Sequence, residues 1–422
     1  MRSEAALFAC CVATLLAPGP AAADSPAGDS AAWTSAWGTA LQPIPEGTEL
    51  PALYHRPEVA GRTVRQIVYP TLDGRLVRLH FSNRYGRTPL DLREVHIARA
   101  ADPATARTLD DTRVSFGGRP SASLPPGGEM DSDPIAIAVT RGAPYAVSSF
   151  VGPQQQLYAW HRVASQVNFI SEPGNHAADA SGAAYGTRFT HSLWLSSVAV
   201  ATPMPAAIAA IGDSITDGMN SSLNKNRRWP DALARRIAAT GSDASAVVNL
   251  GISGNRLLSD SPCYGEALAQ RFSRDLRGQP GVKTAIVLIG INDINFAAMP
   301  PRPGLDCDLP HTAVSAEQLI QGYQGLIAAA HRGGIRVLLG TLTPASLPPP
   351  RERMRGAVNQ WIRTGGASDG VVDFDAALRD PADPERLRPG YDSGDHIHPS
   401  DAGYAAMADA VPQALLHSTA RP

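Results

Sequence analysis

Five short apolar runs in the second half of the chain constrain its fold more than any other feature. They are AAIAAI (206–211), AVVNL (246–250), TAIVLI (284–289), RVLLG (336–340) and GVVDF (370–374). None alternates apolar with polar residues, which is what strands buried on both faces require. Helical segments fall between them. In SAEQLIQGYQGLIAAAHRGG, Leu319, Ile320, Tyr323, Leu326 and Ile327 form one apolar stripe. Ser315 and Gln318 form a capping box ahead of it, and Gly333-Gly334 end it. RWPDALARRIAATG opens with Pro230 in its first turn and stops at Gly241. Alternating strands and helices predict a parallel, doubly wound sheet with helices on both faces. Ligands in such sheets bind at the carboxyl ends of the strands.

The first half has a different grammar. In RLVRLHFSN, Val77, Leu79 and Phe81 alternate with Arg78 and His80. RQIVYPTLDG ends in an Asp-Gly turn signal, and REVHIARA, PIAIAV, YAVSSFVG and SLWLSSVAV follow, separated by Gly, Pro, Asn and Asp. Many short strands with such punctuation predict an antiparallel sandwich-like domain. At its start, MRSEAALFACCVATLLAPGPAAADS combines an early arginine, an apolar run and the small residues Ala21-Ala22-Ala23, the pattern of a cleaved secretory signal. The expected organisation is therefore a signal peptide over 1–23, a β-rich domain over 24–203 and an α/β domain over 204–422, in a secreted or periplasmic protein. No later run is long enough to span a bilayer. The net charge of −2 gives no reason to expect a nucleic-acid partner. Cys10 and Cys11 leave with the leader, and the remaining pair, Cys263 and Cys307, is a disulfide candidate closing a loop of about 45 residues.

The carboxyl ends of the apolar runs carry the candidate chemistry. GDSIT places Ser214 just after the first run, and a serine hydroxyl needs a base, a carboxylate to orient that base, and donors for an oxyanion. GISGN offers the backbone N–H of Gly254, GIND the side-chain amide of Asn292, and DHIHP the pair Asp395 and His398 ahead of a helix that Ser400 caps. His396, His398, Asp392 and Asp395 are too few and too local to read as a complete metal site, so His396 is read as a neighbour of the triad. Asp373 and Asp375 read as a strand end and a helix start rather than paired glycosidase carboxylates. Asn255 and Asp293 read as loop hydrogen-bonding residues, and the arginines of RERMRG as a solvated helix face. The segment NFAAMPPRPGLDCDLPHTAVS is a long loop after Asn292 that a Cys263–Cys307 bridge would tie to the segment following Gly254.

With GDSIT, GISGN, GIND and DHIHP in this order, the chain from about Ile208 to Leu415 resembles the GDSL or SGNH hydrolases. The resemblance implies a Ser214–His398–Asp395 triad, an oxyanion hole from the Ser214 and Gly254 N–H groups and the Asn292 amide, and a flavodoxin-like strand order 2-1-3-4-5. It implies a carboxylic ester hydrolase acting through an acyl-serine, with no metal or organic cofactor. The ester partner is a small molecule or a polysaccharide; a lipase or lysophospholipase is the alternative within the family. The β-rich half resembles the extension of some exported bacterial members, with phrases such as RQIVYPTLDGRLVRLHFSNRYG. A rival of another class is a glycan- or cell-wall-binding protein with an inactive hydrolase scaffold, in which Trp33, Trp37 and Trp160 would stack on sugars.

Overall fold

In the computed structural model the five apolar runs are the strands Ala207–Gly212, Ala246–Gly251, Val282–Leu288, Arg336–Gly340 and Gly370–Val372. The structure describes residues 32–416 apart from 48–49, 204–205, 242–244 and 303; the signal peptide read over 1–23 lies outside the described residues. The strands pair in parallel, with 207–212 between 246–251 and 282–288, and 336–340 and 370–372 following outward. Numbered along the chain, this is the order 2-1-3-4-5. Isoleucine, valine, leucine and alanine fill both faces of the two central strands, and Ile286 and Val287 are both fully buried. Helices Trp229–Ala239, Leu268–Arg277, Ala316–Arg332 and Pro349–Thr364 supply the layers. The longest begins at a Ser315–Gln318 capping box and stops at Gly333.

Beside a two-stranded pairing of Gln42–Pro43 with Ala159–Trp160, the β-rich half has two main antiparallel sheets. One runs in the order Trp33–Gly38, Leu195–Ala201, Val77–Ser82 and Glu129–Asp131. The other has seven strands, with Arg62–Val68, Tyr145–Val151 and the long Leu90–Ala100 at its centre. Strands 62–68 and 77–82 thus lie in different sheets, and the Asp73-Gly74 turn carries the chain from one to the other. PIAIAV, read as a strand, is not one. The Ile137 N–H turns back to the Ile135 carbonyl (2.9 Å), which pulls the segment out of the ladder. Single bridges to Val77 and Gly74 are what remain, while Ile135 and Val139 still drop into the core.

The described residues of both halves belong to one compact unit. Strand 246–251 is an edge of the parallel sheet, and an uncovered edge leaves backbone groups unpaired. Thr71 of the β-rich half covers it: its hydroxyl accepts from Val247 N–H at 3.0 Å and lies 2.8 Å from the Ala36 carbonyl. Nearby, Ser35 N–H donates to the Pro280 carbonyl (2.8 Å) and the Gln279 amide to the Ser196 carbonyl (3.1 Å). Tyr85 donates to Glu266 (2.9 Å), beneath the Arg274 guanidinium. Replacing Thr71 by valine keeps the shape and strands the buried Val247 N–H. Urea unfolding of Thr71→Val is expected to show a loss of about 1–3 kcal/mol; an unchanged midpoint would mean the edge does not need this cover.

Candidate active site

The first strand ends at Gly212, where the chain turns sharply into a one-turn helix, Ser214–Asp217. A Cβ on Gly212 would fall 1.9 Å from the Leu288 carbonyl oxygen, so this close approach of two strands requires glycine. Asp213 caps the helix, its carboxylate accepting from Ile215 N–H at 3.0 Å. Ser214 is nearly buried, and its Oγ lies 2.8 Å from His398 Nε2. The other ring nitrogen of His398 meets Asp395 Oδ2 at 2.6 Å.

Asp395 is held from several sides. Its Oδ1 accepts the backbone N–H groups of Ile397 (3.0 Å) and His398 (2.8 Å), the ring that closes the DHIH loop. The Asn220 amide donates to its Oδ2 at 2.8 Å and also to Ser393 Oγ at 3.0 Å. Asn220 does so from a left-handed backbone, φ +64°, a conformation asparagine tolerates better than most residues. Partial burial works against the Asp395 charge, but the His398 ring and these backbone donors outweigh it and hold the carboxyl well below the usual carboxylate range. His396 is not part of this chain of contacts; its ring bonds Asp392 at 2.6 Å and stands mostly in solvent.

The two remaining loops meet each other. Gly254 has φ +82°, and a Cβ there would fall 2.2 Å from the Tyr264 ring, so the loop packs flat against that tyrosine. Asn292 sits in the first turn of helix Ile291–Phe296 and donates to the Asn255 carbonyl at 3.0 Å. That bond leaves the second N–H of its amide for another acceptor. Asp293 accepts the N–H groups of Leu257 (2.8 Å) and Leu258 (3.0 Å), and the Asn255 amide bonds the carbonyls of Tyr264 and Glu266, each at 2.8 Å. Cys263 and Cys307 are bonded, their Cα atoms 4.9 Å apart. Cys263 N–H donates to the Cys307 carbonyl at 2.8 Å, so the bridge links the two loops next to Tyr264. Gln42 of the β-rich half donates to the Cys263 carbonyl at 2.7 Å.

Several residues that position the site gave no sequence signal. Arg271, 1% exposed, donates to the carbonyls of Gly212 (2.9 Å) and Leu250 (3.0 Å) and to Asn255 Oδ1 (3.0 Å). Asp217 accepts from Ser253 N–H (2.9 Å) and Oγ (2.6 Å), and meets His161 at 3.0 Å. Helix 349–364 corrects a further expectation. Arg355 does not lie on a solvated face: it is buried, bonding Asp375 Oδ1 and the Leu342 carbonyl at 2.7 Å each. A buried guanidinium is tolerated where carboxylates meet it, and Glu352 supplies a second one. Asp373 caps helix Phe374–Leu378, as a carboxylate at a helix start should. Among the described residues no group of three or more His, Cys, Asp or Glu side chains is arranged to hold a metal ion. Trp160 is fully buried, and Trp33 lies against the Arg78 guanidinium.

Two acids here are carried far from their ordinary range. Burial, reinforced by the charges of Asp293 and Asp217, pushes Asp213 up from 3.8 to about 7 against the Ile215 N–H and Arg271. Burial also lifts Asp293 to about 6. A carboxyl raised on folding contributes full stability below its unfolded value and loses it as pH rises through the folded one, about 1.4 kcal/mol per unit of displacement. Asp213→Asn keeps an acceptor for Ile215 N–H. Its stability relative to the parent is expected to climb between about pH 4 and pH 7 and then level off; parallel urea midpoints across that range would contradict this. Removing the bridge, in Cys263→Ser/Cys307→Ser, is expected to cost about 3–4 kcal/mol and to lower turnover; full stability and turnover in the variant would mean the bridge braces neither loop.

Residues 210–406 match the model of the GDSL-like lipase/acylhydrolase family. No curated protein matches the sequence. Among solved structures, the chain is similar to a mutant of an acetylxylan esterase from Geobacillus stearothermophilus at 22% identity, over 52% of this chain and 99% of that one, with a TM-score of 0.38. A GDSL-like lipase from Bacteroides thetaiotaomicron matches at 19% identity over 50% and 87%, TM-score 0.34. An α/β hydrolase from the metagenome of Lake Arreo matches at 23% identity over 50% and 94%, TM-score 0.36. The family match lies wholly within the α/β half, and it is this half that is similar to the SGNH/GDSL hydrolases.

Proposed function

We propose that the protein is an exported serine esterase that cleaves carboxylic esters through an acyl-serine, with Ser214 as nucleophile, His398 as base and Asp395 as its orienting carboxylate. The observation that carries this reading is the contact of Ser214 Oγ with His398 Nε2 at 2.8 Å, backed by Asp395 at 2.6 Å. As Oγ forms its bond to the ester carbonyl carbon, its proton passes to His398 Nε2. Asp395, ionised and fixed by four donors, stabilises the imidazolium and keeps the ring turned. The carbonyl oxygen gains the negative charge, and the N–H groups of Ser214 and Gly254 with the free N–H of Asn292 receive it. One such donor is worth about 3–4 kcal/mol in the transition state. His398 then returns its proton to the leaving alcohol, and water repeats the cycle on the acyl-enzyme.

Export is supported by the leader pattern and by the Cys263–Cys307 bond, since disulfides persist in oxidising compartments. The favoured substrates are short acyl or acetyl esters, including those on polysaccharides. Large exposed hydrophobic side chains among the described residues are limited to Leu53, Leu109 and Leu223, and no described helix is long and apolar enough to cross a membrane. An enzyme that works at a lipid surface needs a larger apolar contact area than this. A binding protein on an inactive scaffold would have no use for a serine, imidazole and carboxylate in hydrogen-bonded sequence.

Ser214→Ala is expected to fold with an unchanged melting temperature and to lose about three orders of magnitude or more in turnover of p-nitrophenyl acetate. A variant as fast as the parent would end the proposal. On graded acyl chains, acetate and propionate esters should outrun octanoate, and acetylated xylan should release acetate faster than lysophospholipid releases fatty acid. The reverse order would move the protein to the lipase side of the family.

A further inference from the structure

Asp217 is the last residue of the one-turn helix that begins with Ser214, and its side chain is 1% exposed. One carboxylate oxygen takes both hydrogen-bond donors of Ser253, the N–H at 2.9 Å and the hydroxyl at 2.6 Å. Ser253 immediately precedes Gly254. The nucleophile's helix and the loop that carries the proposed oxyanion donor are therefore pinned to each other through a single carboxylate. The other oxygen of that carboxylate meets His161 Nε2 at 3.0 Å.

His161 belongs to the β-rich half. It follows the short strand Ala159–Trp160, and its backbone is held in both directions, N–H to the Ser192 carbonyl (2.7 Å) and carbonyl to the Ser192 N–H (2.9 Å). The ring is almost wholly buried, with Nδ1 3.1 Å from the Ala40 carbonyl and Nε2 3.1 Å from the Val163 carbonyl as well as beside Asp217. Every atom facing the two ring nitrogens is an acceptor. These are the Ala40 and Val163 carbonyls and the Asp217 carboxylate. The position of His161 is thus fixed by four backbone groups of its own half, and it reaches across to fix Asp217.

We propose that His161 is a positioning residue of the oxyanion hole: through Asp217 it sets the Ser253–Gly254 peptide relative to Ser214, making the β-rich half part of the catalytic support. The inference rests on the esterase reading above. Preorganised donors act in catalysis because they need not move as charge develops, and a displacement well under an ångström weakens them. Loss of the His161 contact would free Asp217 to turn, and Ser253 would follow it.

The test uses full-length His161→Gln, His161→Ala, Asp217→Asn and Ser253→Ala, with turnover of p-nitrophenyl acetate normalised to serine sites titrated to completion with a phosphonate. Each is expected to lower kcat per titrated site by about tenfold or more with KM within about twofold, the signature of a lost transition-state contact. Binding of a boronate transition-state analogue should weaken in the same proportion as kcat/KM. His161→Gln, which retains one donor, should recover part of the His161→Ala loss. The double variant His161→Gln/Ser253→Ala should be no slower than the worse single, because both act on one chain of contacts. A purely structural role would lower the melting temperature and the number of titratable sites but leave kcat per site at the parental value, and that result would overturn the proposal. So would multiplicative losses in the double variant. If Ser214→Ala itself kept activity, the esterase reading would fall instead; Ser214-dependent turnover that is indifferent to His161 sinks this inference alone.

Discussion

A buried guanidinium, that of Arg271, lies where the loops of the site diverge. It holds the carbonyls at the ends of two adjacent parallel strands, at Gly212 and Leu250, and the side chain of Asn255 in the loop beyond the second. Strand ends in a parallel sheet leave carbonyls without ladder partners, and a single planar donor fork can satisfy several of them at once. The charge is balanced by Asp275 one helical turn away. The arrangement fixes the exit directions of the chain toward Ser214 and toward Gly254 together. Everything that follows in the site, from the helix cap at Asp213 to the packing of Gly254 on Tyr264, presupposes those two directions.

Around that centre the polar groups are arranged so that nearly each loop is held by a residue from another. Asn292 bonds the loop of Asn255, Asp293 bonds Leu257 and Leu258, Asp217 bonds Ser253, and Asn220 bonds Asp395. Hydrogen bonds of this kind add modest net stability each. Their larger effect is to remove alternative loop geometries, since an unmade bond in a buried place is costly. Two of the acids involved, Asp213 and Asp293, are buried where ionisation is opposed, so charging them as pH rises draws on the fold's stability.

What the sequence made legible was local or repetitive. The five apolar runs became the five parallel strands because burial on both faces leaves a composition that needs no partner to recognise. The Ser315–Gln318 box and the Ser400 and Asp373 caps could be read because each spans three or four residues. The four blocks around Ser214, Gly254, Asn292 and Asp395–His398 could be read because each sits at a strand end or before a helix. What escaped depends on distant partners. Arg271 is 59 residues from Gly212 and His161 is 56 from Asp217, with nothing in either neighbourhood to advertise the contact. Arg355 was misread for the same reason: its local surroundings are charged and suggest solvent, while Asp375 lies 20 residues on. PIAIAV failed differently. Its alternation correctly reported which residues point inward, but alternation does not guarantee ladder pairing once one N–H turns back on its own segment.

The cover that Thr71 places over the 246–251 edge has a consequence for how such a chain could have been assembled. An α/β half cut free of its companion would offer that outer strand as a template for any passing polypeptide, a hazard that folded proteins commonly suppress. The companion therefore covers that flank, and exchanging it for an unrelated module would demand a redesigned edge on the sheet.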